Sequence, residues 1–427
     1  MRRSCISLIA FLTGVAAAVG PLRAGEGITV GEEQVLLEDG PGKGLQATPA
    51  VAFGKNVYLA VWREGWHGEG GKARIYASRI GKDGKPLDSK EIEIAPSEKG
   101  VQTQPRVAFG GGVFLIVWQD LRNGKDYDIF AARVSPEGKV LDAQPISVAV
   151  APRTQALPDV SSDGKSFVVV WQGLKGNETK YRGYAACVGA DGRVSPPVET
   201  AGGTPQPRIA WGGEHYLVAF GDGILASLRL GPAGKPLDPK LNPKRNPWDG
   251  QLVRHCKQPL PSIAGSSGTG WLVVAHRSAP DYWGWGGPGA MRCYLVGPDG
   301  KRDPGIKIEP SGVRTQSNWL DIGLSKKAGA TWPMGESAVA WDGKQFVVVW
   351  QRHHIEKQVM FTNCDLIASR VDGFKPLDPD GVAVATSAEE EKKPALASDG
   401  AGKLLCVYER YGKDGRVQIC ARALATQ

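Results

Sequence analysis

The chain has 427 residues, with 52 Lys and Arg against 44 Asp and Glu and a formal net charge of +8. Residues 1–24 hold three Arg and no acid, so 49 basic residues face 44 acidic ones beyond them, a net charge of +5. That mild excess favours solubility, and the absence of a Lys/Arg cluster interleaved with stacking aromatics excludes a nucleic-acid footprint.

The N-terminus reads as a targeting segment. Arg2 and Arg3 precede an apolar run over 6–19, and Leu22, Arg23 and Ala24 offer a small-residue cleavage site. Cys5 lies ahead of the apolar run, where a lipoprotein anchor would not be. No later stretch reaches the roughly 18 apolar residues of a spanning helix. The sequence therefore predicts a signal peptide over 1–24 and a mature chain over 25–427 that is secreted or periplasmic, with no membrane span and most simply a monomer. Six cysteines follow residue 24, and an oxidising compartment permits them to pair. Cys406 with Cys420 and Cys256 with Cys293 are the pairs the spacing suggests.

Beyond residue 24 one pattern recurs. A strand follows a proline, a Gly turn leads to a second strand ending in an aromatic, and a polar loop leads to a third strand. A turn of the Asp-Gly kind then leads to a fourth. The aromatic position runs Trp62, Trp118, Trp171, Phe220, Ala275, Trp350, Tyr408, and the proline position runs Pro49, Pro105, Pro158, Pro207, Pro261, Ser337, Pro394. Seven units of about 50 residues, each with four short apolar strands, predict an all-β fold: one seven-bladed β-propeller of four-stranded antiparallel blades. The last unit stops after its third strand, and a spare strand over 33–37 precedes the first. The N-terminal strand is therefore expected to complete the last blade, leaving no open sheet edge.

The repeats resemble secreted bacterial propeller repeats of kelch-like and Asp-box (sialidase-like) character. Gly110-Gly111 and Gly212-Gly213 match part of the kelch double glycine, and Ser161, Ser162, Asp163 and Gly164 approach an Asp box. The resemblance implies the architecture and brings no active site with it.

Candidate functional residues lie where the repeat is polar or broken. Gln46, Gln102, Gln155 and Gln258 stand three residues before the blade-opening proline and are expected at the mouth of the central channel, lining it or satisfying their own turns. Arg79, Arg133, Arg370 and Arg422 recur in third strands, where hydrogen bonding between blades is the expected role. Glu64, Asp120, Asp222 and Glu409 recur after the aromatic, which also favours structure. Asp120, Asn123, Asp126 and Asp128 share one loop with calcium-type oxygen ligands, although a solvated loop explains them as well. The departures from the repeat concentrate aromatics in the loops of blades five and six: Tyr282, Trp283, Trp285, Trp319 and Trp332, with Arg352 and His353 beside them. Flat rings flanked by polar groups suit a sugar, and a self-packed cluster is the competing explanation. No phosphate loop, nucleophile elbow or zinc motif is present, so no cofactor or metal is expected. These features predict a binding propeller for a glycan or protein partner on the blade five to six face. A carbohydrate-active hydrolase or lyase on the same face, with carboxylates drawn from Asp281, Asp321, Glu64, Asp120 and Glu409, is the alternative. A structural scaffold of a cell-envelope complex is the third reading.

Overall fold

The computed structural model describes residues 27–36, 45–65, 71–96, 100–202, 206–221, 223–238, 251–256, 261–277, 290–301, 320–322, 331–356, 360–373 and 375–427. They form seven antiparallel sheets, each built from strands consecutive in the chain except at the join. The inner strands are Gln46–Gly54, Gln102–Gly110, Gln155–Ser162, Arg208–Trp211, Ser262–Ser266, Thr331–Trp341 and Glu390–Ser398. Each touches the next and the seventh touches the first, closing a ring. The fold is thus the seven-bladed propeller that the repeats predict.

Closure is made by Ile28–Val35, which pairs antiparallel with Val417–Thr426 as the outer strand of blade 7. Glu33 sits at this seam. It accepts from Tyr408 Oη and Arg410 Nη1, and lies 3.7 Å from Arg422 Nη2. Ile28 and Leu36 are buried, so the strand adds apolar burial as well as a ladder.

Blade-to-blade packing comes from the recurring second strands. Trp62, Trp118, Trp171, Phe220, Ala275, Trp350 and Tyr408 are all at most 2% exposed. In blade 5, where this position is Ala275, Trp271 stands four residues earlier in the same strand, at the place that Tyr58 and Phe114 hold in blades 1 and 2. Trp271 donates Nε1–H to Ala210 O (3.0 Å) and occupies space that a side chain at Gly212 would fill, 2.5 Å from where its Cβ would stand.

The third-strand arginines act within and between blades. Arg79, Arg133, Arg229 and Arg370 each donate their backbone N–H and a guanidinium fork to the aspartate leading into the fourth strand: Asp88, Asp142, Asp238 and Asp378. Nη1 of Arg133 then reaches Ala190 O of the following blade (2.8 Å), and that of Arg229 reaches Pro298 O (3.3 Å).

Three expectations are corrected. In blades 1 to 3 the inner strand does not begin after the proline: it starts at the glutamine and runs through it, over a bulge, whereas in blades 4 and 5 it follows Pro207 and Pro261 as expected. Trp332, expected in a loop, lies in the inner strand of blade 6, Thr331–Trp341, and Leu320–Ile322 ahead of it is the outer strand of blade 5. Cys406 and Cys420 are not bridged. Cys406 faces Arg422 and Cys420 faces Tyr408 in the ladder, so the two are offset by two residues, and both are buried free thiols. Cys187 and Cys364 are also free. Burial pushes Cys364, Cys406 and Cys420 up to about 12, which keeps them protonated. The side chain of Cys256 lies outside the described residues.

Candidate functional site

The register fixes which loops share a face. Gln46 pairs with Glu64, Gln102 with Asp120 and Lys392 with Glu409, so the start of each inner strand lies beside the end of its second strand. The connections into each blade and the loops after the second strands therefore surround one mouth of the axial channel. A cavity of about 460 Å³ opens there.

A backbone bulge shapes that mouth. Among the described residues, the one before each blade-opening proline has a positive φ: Thr48 (55°), Gln104 (55°), Leu157 (51°), Gln206 (63°) and Lys393 (51°). A residue before proline avoids the right-handed region, and a non-glycine in the left-handed one is strained unless its surroundings hold it. They do so through side-chain acceptors at the ends of second strands. The N–H of Thr48 donates to Glu409 (2.7 Å), that of Leu157 to Gln119 (2.8 Å) and that of Gln206 to Gln172 (3.0 Å). Gln351 Oε1 accepts from both Glu336 (3.0 Å) and Lys393 (3.2 Å). Every one of these acceptors except Gln351 toward Glu336 reaches the blade that follows. The bulge turns the pre-proline side chains toward the channel, and Thr48, Gln104, Leu157, Gln206, Glu336 and Lys393 line the cavity mouth.

The predicted glutamines sit behind this ring. Gln46, Gln102 and Gln155 are at most 5% exposed. Gln46 accepts from Ile419 N–H in blade 7 (2.8 Å). Gln102 accepts from Ile75 N–H and donates to Ala95 O in blade 1 (3.1 and 2.9 Å). Gln155 accepts from Trp171 Nε1–H (2.9 Å). Their amides are taken up by the framework, and none of the three lines the cavity. Gln258 lies outside the described residues.

One layer deeper stand the residues that follow the proline. Arg106, Asp159 and Arg208 come from blades 2, 3 and 4, and Ala338, Ala395 and Ala50 from blades 6, 7 and 1. Asp159 Oδ2 accepts Ile209 N–H (2.9 Å), and Oδ1 is 3.8 Å from Arg106 Nε. Arg106 and Arg208 each donate Nη1–H to the carbonyl of the proline before them (2.8 and 3.1 Å). Burial, then the like charge of Arg208, lowers Arg106 to about 10, so it stays a cation at neutral pH. Lys393 Nζ is 3.1 Å from the buried Glu409. Val51, Val107 and Ile209 form part of an apolar layer below. Sequence reasoning missed this layer because arginine, aspartate and alanine alternate at one repeat position. The clue was that a position filled by alanine in blades 1, 6 and 7 and by Ser262 in blade 5 carries charge in the three consecutive blades between.

The aromatic site of the sequence reading is described only in part. Tyr282, Trp283, Trp285 and Trp319 lie outside the described residues. Trp332 pairs with His353 across the first two strands of blade 6. Arg352 is ion-paired with Asp365 (3.0 Å), and His353 Nε2 lies 3.8 Å from Cys364 Sγ. The backbone register of blade 6 thus sets Trp332 opposite His353 near the end of the second strand, on the cavity-mouth face.

The acids are mostly structural. Asp120 is fully buried and accepts from Trp118 Nε1, Arg122 N and Arg122 Nη2. Asn123 bonds Asp128 (3.1 Å) and the N–H groups of Lys125 and Asp126, which makes that loop a self-satisfied turn. No group of three or more metal-ligating side chains occurs among the described residues. Among them there is also no helix long and apolar enough to cross a membrane.

No protein-family model and no curated protein matches the chain. Several solved structures are similar to it. A protein of unknown function from Dyadobacter fermentans is 10% identical over 94% of this chain and 100% of that one, with a TM-score of 0.45. Trypanosoma rangeli sialidase is 10% identical over 89% of this chain and 55% of that one, TM-score 0.46, so this chain spans about half its length. CoXyl43, a GH43 β-xylosidase/α-arabinofuranosidase from a compost microbial metagenome, is 12% identical over 65% and 98%, TM-score 0.38. Glycoside hydrolases thus stand among the neighbours.

Proposed function

We propose that this chain is an exported ligand-binding propeller whose binding site is the axial cavity, with a polar ligand of roughly mono- to disaccharide size. One observation carries this reading. A cavity of about 460 Å³ is lined by five charged side chains drawn from five different blades, Arg106, Asp159, Arg208, Glu336 and Lys393, above an apolar layer. A concave site with a few convergent polar groups over apolar walls is the usual form of a small-ligand site. Tyr282, Trp283, Trp285, Trp319 and Trp332, with Arg352 and His353, belong to the same proposal as the rim of that mouth on blades five and six, where rings would stack on a longer glycan. A glycan-array screen of the mature chain tests it. Binding that is lost when Ala395 is replaced by Trp, which fills the cavity, supports the reading, and binding indifferent to that change places the site elsewhere. Mass analysis of the exported protein checks cleavage after residue 24.

A hydrolase is the second reading, because Asp159 and Glu336 line one cavity from blades 3 and 6 and glycoside hydrolysis uses two carboxylates. Release of reducing ends from an array-positive glycan, abolished by Asp159→Asn and by Glu336→Gln, would favour it over binding alone.

A further inference from the structure

The layer just inside the mouth is asymmetric in a way the fold does not require. Blades 6, 7 and 1 fill the position after the blade-opening residue with Ala338, Ala395 and Ala50, so a methyl group suffices for packing there. Blades 2, 3 and 4 carry Arg106, Asp159 and Arg208. Placing two guanidiniums in a confined channel costs desolvation and mutual repulsion. Asp159 balances one of them incompletely: Oδ2 is occupied by Ile209 N–H, and Oδ1 stays 3.8 Å from Arg106 Nε, beyond hydrogen-bond range. Each arginine is oriented by donating Nη1–H to a proline carbonyl. A guanidinium has five N–H donors in a planar fork, which leaves the larger part of each fork for another acceptor.

We propose that Arg106 and Arg208 together anchor the single carboxylate of an acidic ligand, of the sugar-acid class, with its neutral hydroxylated body lying toward the alanine wall. This rests on the cavity reading above and deepens it. A carboxylate there would complete the charge balance of the two arginines and accept charge-assisted bonds from both. Glu336 on the opposite rim disfavours a second negative group, so a monoanion fits better than a polyanion. The alanines leave room for the ligand body where bulky residues would not.

The test uses the whole mature chain and calorimetric titration with digalacturonate, its monomethyl ester bearing one free carboxylate, its uncharged dimethyl ester, and citrate. Digalacturonate and the monomethyl ester should bind, the dimethyl ester at least tenfold more weakly, and Arg208→Gln should weaken the acids at least tenfold and the dimethyl ester by a clearly smaller factor. Arg208→Lys, which keeps the charge without the fork, should fall between. Denaturation midpoints of each variant separate lost binding from lost folding, and Arg106→Lys supplies a second variant should Arg208→Gln unfold. Equal binding of the dimethyl ester and the acids, with Ala395→Trp abolishing both, overturns the anchor while the cavity reading stands. Citrate binding as tightly as digalacturonate overturns the sugar-acid class. No binding of any acid overturns the anchor, and the glycan array with Ala395→Trp then decides the cavity reading separately. Acid binding that survives Ala395→Trp overturns both.

Discussion

At the mouth of the channel, single side chains hold backbone conformations that the chain would not adopt alone. Gln351 has the heaviest duty, since one carbonyl oxygen accepts the N–H groups of Glu336 and Lys393 on neighbouring inner strands. Gln351→Ala removes the acceptor from two part-buried donors, one of them on a positive-φ residue. At about 1–3 kcal/mol per orphaned group, a loss of about 2–6 kcal/mol for the two is expected in guanidinium unfolding. Gln351→Glu should retain most of the stability, because Glu409 plays the acceptor role for Thr48 as a carboxylate. A loss under 0.5 kcal/mol for the alanine variant, on the scale of an ordinary surface change, would show that the bulge is held by the proline alone. Glu391 makes a different case. It is fully buried, accepts from Ser387 N–H (3.1 Å) and Ser387 Oγ, and burial raises its carboxyl above the ordinary range. A carboxyl raised in the folded state contributes stability that is complete below the unfolded value of about 4.3 and is lost as pH rises through the folded value. The wild-type chain should therefore lose stability relative to Glu391→Gln as pH is raised from about 4 toward neutrality. Parallel unfolding curves for the two proteins across that range would contradict the assignment.

The third-strand arginine and the turn glycine of the next blade form the recurring joint between elements. Gly138 has φ +87°, and a Cβ there would stand 2.9 Å from Nε of Arg79, whose fork is fixed on Asp88. Gly124 has φ +71° and open space around it. Both alanine substitutions carry the left-handed penalty, about 1 kcal/mol, but only Gly138→Ala also displaces the clamp. We expect it to cost a further 1–3 kcal/mol, the range of an overpacked site, in denaturant midpoints. Equal losses at the two glycines would remove the joint from the account. This joint was half legible in the sequence: recurrence showed that Arg79, Arg133 and Arg370 were structural, and the Asp-Gly turn was plain, but nothing in the spacing says that the turn glycine of one blade seats the arginine of the blade before. Of the two readings of the channel glutamines, the one in which they satisfy backbone groups is observed at Gln46, Gln102 and Gln155. Their periodicity was real, yet a one-residue bulge between glutamine and proline decides which side chain faces the axis, and a period of about 50 residues carries no information on that local twist. The cysteines at 406 and 420 were placed on the right hairpin, two residues out of register for a bridge.

For the whole ring, the question is what holds the join shut. The repeat count and the spare N-terminal strand were readable because both are counting arguments: seven repeat units, six of them marked by an aromatic and one by Ala275, and a last unit one strand short. The structure adds that the ends meet, since Gln427 N–H donates to Gly27 O (3.4 Å) beside the ladder of Ile28–Val35 with Val417–Thr426. Circular permutation can therefore move the join without disturbing the blades. Two permutants, each linking Gln427 to Gly27 by a short flexible linker, separate the forces involved. The first opens the loop 121–127, so that blade 2 is assembled from both chain ends and sealed by the ladder running from Phe114 with Val134 to Asp120 with Asp128. The second opens the connection 150–154 between blades 2 and 3, where no strand is shared and the gap is spanned by side-chain packing and scattered hydrogen bonds, such as Gly111 N–H to Gly164 O (2.9 Å), Leu157 N–H to Gln119 (2.8 Å) and Arg133 Nη1 to Ala190 O (2.8 Å). At about 0.5–1.5 kcal/mol net per ladder hydrogen bond, the shared strand is worth several kcal/mol, and it also removes two exposed sheet edges. The first permutant should unfold within about 2 kcal/mol of the parent, and the second several kcal/mol lower with a broader transition, both read by denaturant titration. Deleting residues 27–36 from the unpermuted chain should resemble the second. If both permutants match the parent, blade packing alone closes the ring, and the N-terminal strand serves to cover the outer edge of blade 7 rather than to fasten it.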